Sequence, residues 1–88
     1  MKLIIAIVRD ADVEQVSNAL TSNNFRVTLI ASTGGFLRRG STTLLIGVED
    51  EQVSQATELI RTHCSTSTEP HSHHGTIFVI PVEQYIRV

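Results

Sequence analysis

Cysteine, basic charge and long apolar segments are all scarce in this 88-residue chain. The single cysteine, Cys64, cannot form a disulfide within the chain. The formal net charge of -2 argues against general nucleic-acid binding, because proteins that follow a phosphate backbone usually carry a strong basic excess. No apolar stretch approaches the ~20 residues that a membrane-spanning helix needs. We therefore expect a cytoplasmic protein whose partners are neither nucleic-acid polymers nor membranes.

The length of the chain predicts one small domain over residues 1–88. A domain of this size buries only about 60% of its unfolded surface on folding, so self-association would help to stabilise it. Its aliphatic run from Leu3 to Val8 has the composition of a buried central strand. A charged pair follows this run too early for a signal peptide.

Hydrophobic periodicity predicts the order β-α-β-β-α-β. Apolar residues recur at helical spacing after Asp12 and after Asp50, and we expect Asp10 or Asp12 to cap the first of these helices. Besides the first strand, strands are predicted over residues 25–31, 43–48 and 75–82. This order is typical of a ferredoxin-like α+β sandwich, in which a four-stranded antiparallel sheet carries both helices on one face. Because apolar residues reach both faces of the first strand, we expect the bare face to pack against other subunits.

A glycine-rich segment, residues 32–43, joins the second and third predicted strands. Its glycines allow close approach of backbone N–H groups to an anion, its arginines supply positive charge, and Phe36 offers a ring on which a base could stack. The segment nearly matches a P-loop, but Ser41 stands where the phosphate-binding lysine belongs and a strand follows instead of a helix. We therefore exclude P-loop chemistry and retain two interpretations, a local phosphate site and a plain hairpin connection.

A polar segment rich in histidine precedes the last predicted strand. Imidazole and thiolate groups are suitable ligands for zinc or copper, although the spacing here is not that of a recognised zinc site. The candidate metal ligands are His63, Cys64, His71, His73 and His74. No Ser-His-Asp or Cys-His pairing is indicated, and the carboxylates cluster at helix starts, where they favour the helix dipole. We therefore predict that the chain is not an enzyme.

Several stretches together resemble the PII-like cyclic-di-AMP receptors, relatives of the PII nitrogen regulatory signalling proteins. The most specific match is Thr33-Gly34-Gly35-Phe36-Leu37-Arg38, which follows a strand that carries Asn24, Arg26 and Thr28. Weaker matches in the first, third and last strands extend the resemblance over nearly the whole chain. The resemblance implies a homotrimer that binds cyclic di-AMP or another adenine nucleotide between subunits. It further implies no cofactor and no catalysis, with the signal passed through loop conformation to an unknown protein target.

Transferred to this sequence, the resemblance implies a set of ligand-binding residues from two strands and the glycine-rich segment. They are Asn24, Arg26, Thr28, Gly35, Phe36, Leu37, Arg38, Ser41, Gly47 and Phe78. Phe36 and Leu37 would form the apolar wall against which adenine rests. The chain departs from the family where Ser41 and Arg87 replace amide side chains and where the segment 64–74 is short. These departures predict a pocket that is more open, binds more weakly, or is retuned to another nucleotide. The alternatives are a trimeric metal-binding protein and an interaction scaffold that has lost the nucleotide site.

Overall fold

The computed structural model describes residues 1–30, 40–64 and 75–88. These residues form four strands and two helices in the order β1-α1-β2-β3-α2-β4. The strands are β1 (Lys2–Arg9), β2 (Val27–Ile30), β3 (Ser41–Val48) and β4 (Gly75–Pro81), and the helices are α1 (Val13–Ser22) and α2 (Val53–His63). The predicted ferredoxin-like α+β fold is confirmed.

The sheet has the strand order β2-β3-β1-β4, and each neighbouring pair is antiparallel. The aliphatic run therefore occupies a central strand, as its composition predicts. Ile4, for example, lies opposite Ile46 of β3 and Val79 of β4. The two shorter strands, β2 and β4, form the edges.

The hydrophobic core lies between the sheet and the two helices. Every second residue of β1 is fully buried, and so are the matching positions of β3 and the apolar stripes of both helices. The core residues are Ile4, Ala6, Val8, Val16, Leu20, Phe25, Leu44, Ile46, Val48, Ala56 and Ile60. Both described helices pack on this one face of the sheet, as the topology predicts.

Each helix is preceded by a short 3-10 turn, and the predicted cap of the first helix is wrong. Asp12 stands at the N-cap of α1 but makes no side-chain capping hydrogen bond. Its carboxylate is buried, and Oδ2 lies 3.6 Å from Nε of Arg9. A buried carboxylate is costly without a charged partner. The Asp12 carboxylate therefore pairs with Arg9 and does not cap the helix. Before α2, the Glu49 N–H donates to Oε1 of Gln52 at 2.9 Å, which is half of a capping box.

The end of α1 explains why β2 is shorter than predicted. The helix ends at Ser22, and Asn24 adopts a left-handed conformation with φ 68°. The N–H of Phe25 then donates back to the Leu20 carbonyl at 3.0 Å, so its backbone still belongs to the helix terminus. The strand consequently begins at Val27. At the other boundary, β3 begins two residues earlier than predicted because Ser41 continues the pairing with Arg9.

Candidate functional site

A cavity of about 500 Å³ opens on the face of the sheet opposite the helices, and we call it the sheet-face cavity. Its polar lining comes from Arg26, Thr28, Tyr85 and Arg87. Its apolar lining comes from Met1, Leu3, Leu45 and Val82, and Gly47 also contributes. This volume lies within the range of small-molecule sites, which combine apolar walls with a few placed polar groups.

Strand pairing brings the lining residues of the sheet together. Leu3 lies opposite Gly47, and Thr28 lies opposite Leu45. The residues that alternate with them point into the core beneath the helices, so these side chains share the other face. Residues that are far apart in the sequence therefore form one surface.

Gly47 is important because it leaves space at the cavity surface. A Cβ atom added there would approach only Cε of Met1, at 3.7 Å, which is an ordinary van der Waals contact. The fold therefore does not require glycine at this position. The missing side chain instead allows a bound molecule to approach the backbone of β3 closely.

The positive charge of the cavity is not neutralised by nearby acidic side chains of the described residues. Arg9 lies 3.6 Å from Asp12, and Arg61 lies 2.6 Å from Glu58. No ion pair of this kind engages Arg26 or Arg87 within residues 1–30, 40–64 and 75–88. The cavity is thus a local cationic site on a chain of net negative charge, and such a site suits an anionic ligand.

The structure brings three of the ten predicted ligand residues to this cavity, namely Arg26, Thr28 and Gly47. Asn24 is exposed in the turn before β2 and does not line it. Ser41 is buried at the start of β3. Phe78 is 51% exposed on the edge strand β4, away from the lining. The remaining four, Gly35, Phe36, Leu37 and Arg38, lie outside the described residues.

The C-terminal segment supplies lining residues that the sequence did not predict as ligand contacts. Val82 donates its N–H to the Met1 carbonyl at 3.0 Å, which holds the segment after β4 beside the start of β1. Tyr85 and Arg87 follow and line the cavity. The segment forms neither helix nor strand, so no hydrophobic periodicity could have located it. The sequence feature that pointed to this segment was Arg87, which stands where the resemblance implies an amide side chain.

A second cavity, of about 510 Å³, lies between α2 and β4. Its apolar lining includes Val8, Ile60 and Ile77, and Cys64 also lines it. The arginine that lines it, Arg61, is already held by Glu58. Because Glu58 already neutralises Arg61, we expect this cavity to bind an anion less favourably than the sheet-face cavity does.

The predicted metal ligands fall only partly within the described structure. His63 donates from Nδ1 to the Leu59 carbonyl at 2.9 Å, and burial raises the pKa of the Cys64 thiol, which disfavours the thiolate that binds metals. Across the described ranges, no three His, Cys, Asp or Glu side chains are grouped so that they could hold a metal ion. The candidates His71, His73 and His74 lie outside those ranges.

Within the part of the chain that the structure describes, neither α1 nor α2 is long and apolar enough to cross a bilayer.

Comparisons with known proteins agree with the fold and indicate a class of ligand. The family model described as "Cyclic-di-AMP receptor" matches residues 1–74. The crystal structure of a functionally unknown protein from Pediococcus pentosaceus ATCC 25745 is 37% identical in sequence and superposes with a TM-score of 0.81. That comparison covers 99% of this chain and 96% of the other chain. The similarity therefore extends over the whole architecture.

Proposed function

We propose that this chain, which belongs to the cyclic-di-AMP receptor family, is a PII-like signal-transduction protein without catalytic activity. Family membership confirms the resemblance seen in the sequence and supports a signalling role that involves cyclic di-AMP. In our proposal, cyclic di-AMP or a related adenine nucleotide binds in clefts between the subunits of a homotrimer. The observation that carries this proposal is the sheet-face cavity, where Arg26, Thr28 and Gly47 lie together.

The chemistry of these three residues matches the parts of an adenine dinucleotide. The guanidinium of Arg26 can pair with a phosphate oxygen, and the hydroxyl of Thr28 can donate to or accept from an adenine edge. The bare backbone at Gly47 gives the ligand room against β3. Phe36 and Leu37 would add the apolar wall, where stacking contributes on the order of 1–3 kcal/mol per base.

The exposed face of the sheet supports assembly into a trimer. Leu3, Ile5 and Ile7 of β1 are only half-buried there. On the neighbouring edge strand, Phe78 is 51% exposed and Ile80 is 42% exposed. Soluble monomers rarely leave large continuous apolar patches in water, so this face fits a contact between copies of the chain. Ligand sites at the margin of such a contact would be completed by a neighbouring subunit.

Signal relay is proposed to run through residues 31–39. This segment joins β2 to β3, and these two strands carry Thr28 and Gly47. A ligand that contacts both strands and the segment between them would favour one conformation of that segment. A protein target could then distinguish the loaded from the empty receptor.

A calorimetric titration of metal-stripped protein with cyclic di-AMP tests the proposal. We expect about one ligand per subunit, as three equivalent sites in a symmetric trimer require. Sedimentation of the same sample should show a trimer. The absence of heat, with no competition from other adenine nucleotides, would contradict the proposal and favour the metal-binding or scaffold alternatives.

Two variants separate the proposal from its alternatives. Phe36→Ala should weaken nucleotide binding and leave the trimer intact, whereas unchanged affinity would remove Phe36 from the site. Simultaneous replacement of His71, His73 and His74 by alanine should leave nucleotide binding unchanged. The metal-binding alternative is correct if the unmodified protein takes up metal but binds no nucleotide, and if the triple variant no longer takes up metal. A trimer that binds neither ligand would favour the scaffold.

A further inference from the structure

We propose that Arg87 is a second anion-binding residue of the sheet-face cavity, and that Arg26 and Arg87 together hold a ligand with two phosphate groups. This inference rests on the proposed function for the identity of the nucleotide. The arrangement of the two arginines is a separate observation, because both line one cavity of about 500 Å³.

The two arginines come to the cavity from distant parts of the chain. Arg26 immediately precedes β2, one edge strand, and the turn at Asn24 and Phe25 fixes its position relative to α1. Arg87 belongs to the segment after β4, the other edge strand. Two cations from distant parts of the chain thus line one cavity. A ligand with two phosphate groups could contact both.

Electrostatics favour such a ligand. Two guanidinium groups that line the same cavity repel each other unless an anion lies between them. Asp50, which contacts the lining residue Met1, is engaged with the Met1 amino group, 3.1 Å away. The other two described arginines, Arg9 and Arg61, each have a carboxylate beside them. The pair at the cavity therefore retains its charge for an external anion, and guanidinium geometry suits phosphate oxygens.

A backbone hydrogen bond holds the start of the segment that carries Arg87. The N–H of Val82 donates to the Met1 carbonyl at 3.0 Å, and Val82, Tyr85 and Arg87 line the same cavity. The start of the segment is therefore held beside β1, and two later residues, Tyr85 and Arg87, also line the cavity. Tyr85, 61% exposed, supplies an aromatic ring between the anchor and the cation. This ring is available to stack on a nucleobase.

The test compares the intact protein with four variants, each titrated with cyclic di-AMP and, separately, with inorganic pyrophosphate. The variants are Arg26→Ala, Arg87→Ala, Arg87→Lys and, as the matched control, Arg61→Ala. We expect Arg87→Ala and Arg26→Ala each to weaken cyclic di-AMP binding about tenfold or more, which is the usual cost of a lost charge-assisted hydrogen bond. Arg87→Lys should recover part of the loss, because it keeps the charge without the fork geometry. Arg61→Ala should bind like the intact protein.

The outcomes distinguish this inference from the proposed function. If Arg87→Ala binds cyclic di-AMP as well as the intact protein does, the role of Arg87 is wrong and the receptor function stands. If the intact protein binds pyrophosphate but not cyclic di-AMP, and both alanine variants lose pyrophosphate, the arginine pair stands and the proposed nucleotide is wrong. If the intact protein binds neither, both proposals fail. If Arg87→Ala changes the sedimentation of the protein and not its ligand affinity, Arg87 is a subunit-contact residue and the inference is overturned.

Discussion

The Thr42 hydroxyl donates a 2.6 Å hydrogen bond to Oδ1 of Asp10, across a sequence separation of 32 residues. Beside it, the Asp10 N–H donates to the Gly40 carbonyl at 2.9 Å. The two bonds join the turn that ends β1 to the start of β3. They therefore fix the point at which the chain returns from residues 31–39 into the sheet.

Replacement of Thr42 by valine should lower the free energy of unfolding by about 1 kcal/mol, because it removes a hydrogen bond to a charged acceptor while the shape of the side chain is kept. Urea denaturation measures this loss. Thr21→Val is the matched control: the Thr21 hydroxyl donates to the carbonyls of Ser17 and Asn18 within α1, on an exposed helix surface. An equal loss in both variants would show that the Thr42 bond to Asp10 has no special role.

Alanine should have opposite effects at two glycines. At Gly47 the new Cβ would meet only Met1 Cε at 3.7 Å, so Gly47→Ala should fold with unchanged or slightly increased stability. At Gly75 the Cβ would lie 2.7 Å from the Ile7 carbonyl oxygen, so the strands must shift, and stability should fall by about 1–3 kcal/mol.

Thermal unfolding of both alanine variants tests this contrast. Under the proposed function, Gly47→Ala should also weaken nucleotide binding in spite of its normal stability. A Gly47→Ala protein that binds normally would show that no ligand approaches the backbone there. A Gly75→Ala protein as stable as the unmodified chain would show that β1 and β4 adjust without cost.

Acid should reduce the contribution of Asp50 to stability. The Met1 amino group lowers the pKa of Asp50, first by hydrogen bonding and then by its charge, and Lys2 adds to the effect. A carboxyl group whose pKa is lowered by folding stabilises the protein above its unfolded pKa and loses that contribution as the pH falls through the folded value. We expect Asp50→Asn to lower Tm slightly at neutral pH, since this pair is exposed. The difference should begin to shrink as the pH falls below about 4 and should vanish only below the lowered pKa of Asp50. A pH-independent difference in Tm would contradict this account.

Cys64 should react slowly with alkylating reagents. Burial, followed by the negative charge of Asp12, raises the pKa of the Cys64 thiol, and the charge of Arg9 opposes this only in part. The thiolate is the reactive form, so at about pH 8.5 the folded protein should be alkylated several-fold more slowly than the same protein in denaturant. Mass spectrometry after a timed iodoacetamide treatment measures both rates. Equal rates would show that the folded environment does not suppress the thiolate.

The sequence predicted the structure correctly where a local pattern of residues determines it. The aliphatic run of β1 predicted a central strand because apolar residues at every position suit a strand that is buried on both faces, or on one face with the other at a subunit interface. It was less reliable at boundaries, since the start of β2 depends on the backbone bond from Phe25 to Leu20 and the start of β3 depends on pairing with Arg9. The role of Asp12 was mispredicted for a similar reason. A capping aspartate and a buried, ion-paired aspartate look the same until Arg9 is placed beside it.

The sequence by itself determined the order of elements, the ferredoxin-like fold and the family resemblance, because periodicity and short motifs depend on residues close together in the chain. Only the tertiary structure decided which polar residues share a site. Arg26, Thr28 and Gly47 meet because β2 and β3 pair in one register, and Tyr85 and Arg87 join them because Val82 is bonded to Met1. Those contacts arise from strand pairing and from the bond that holds the segment after β4 beside β1. Such contacts join residues far apart in the sequence, so local sequence patterns do not reveal them.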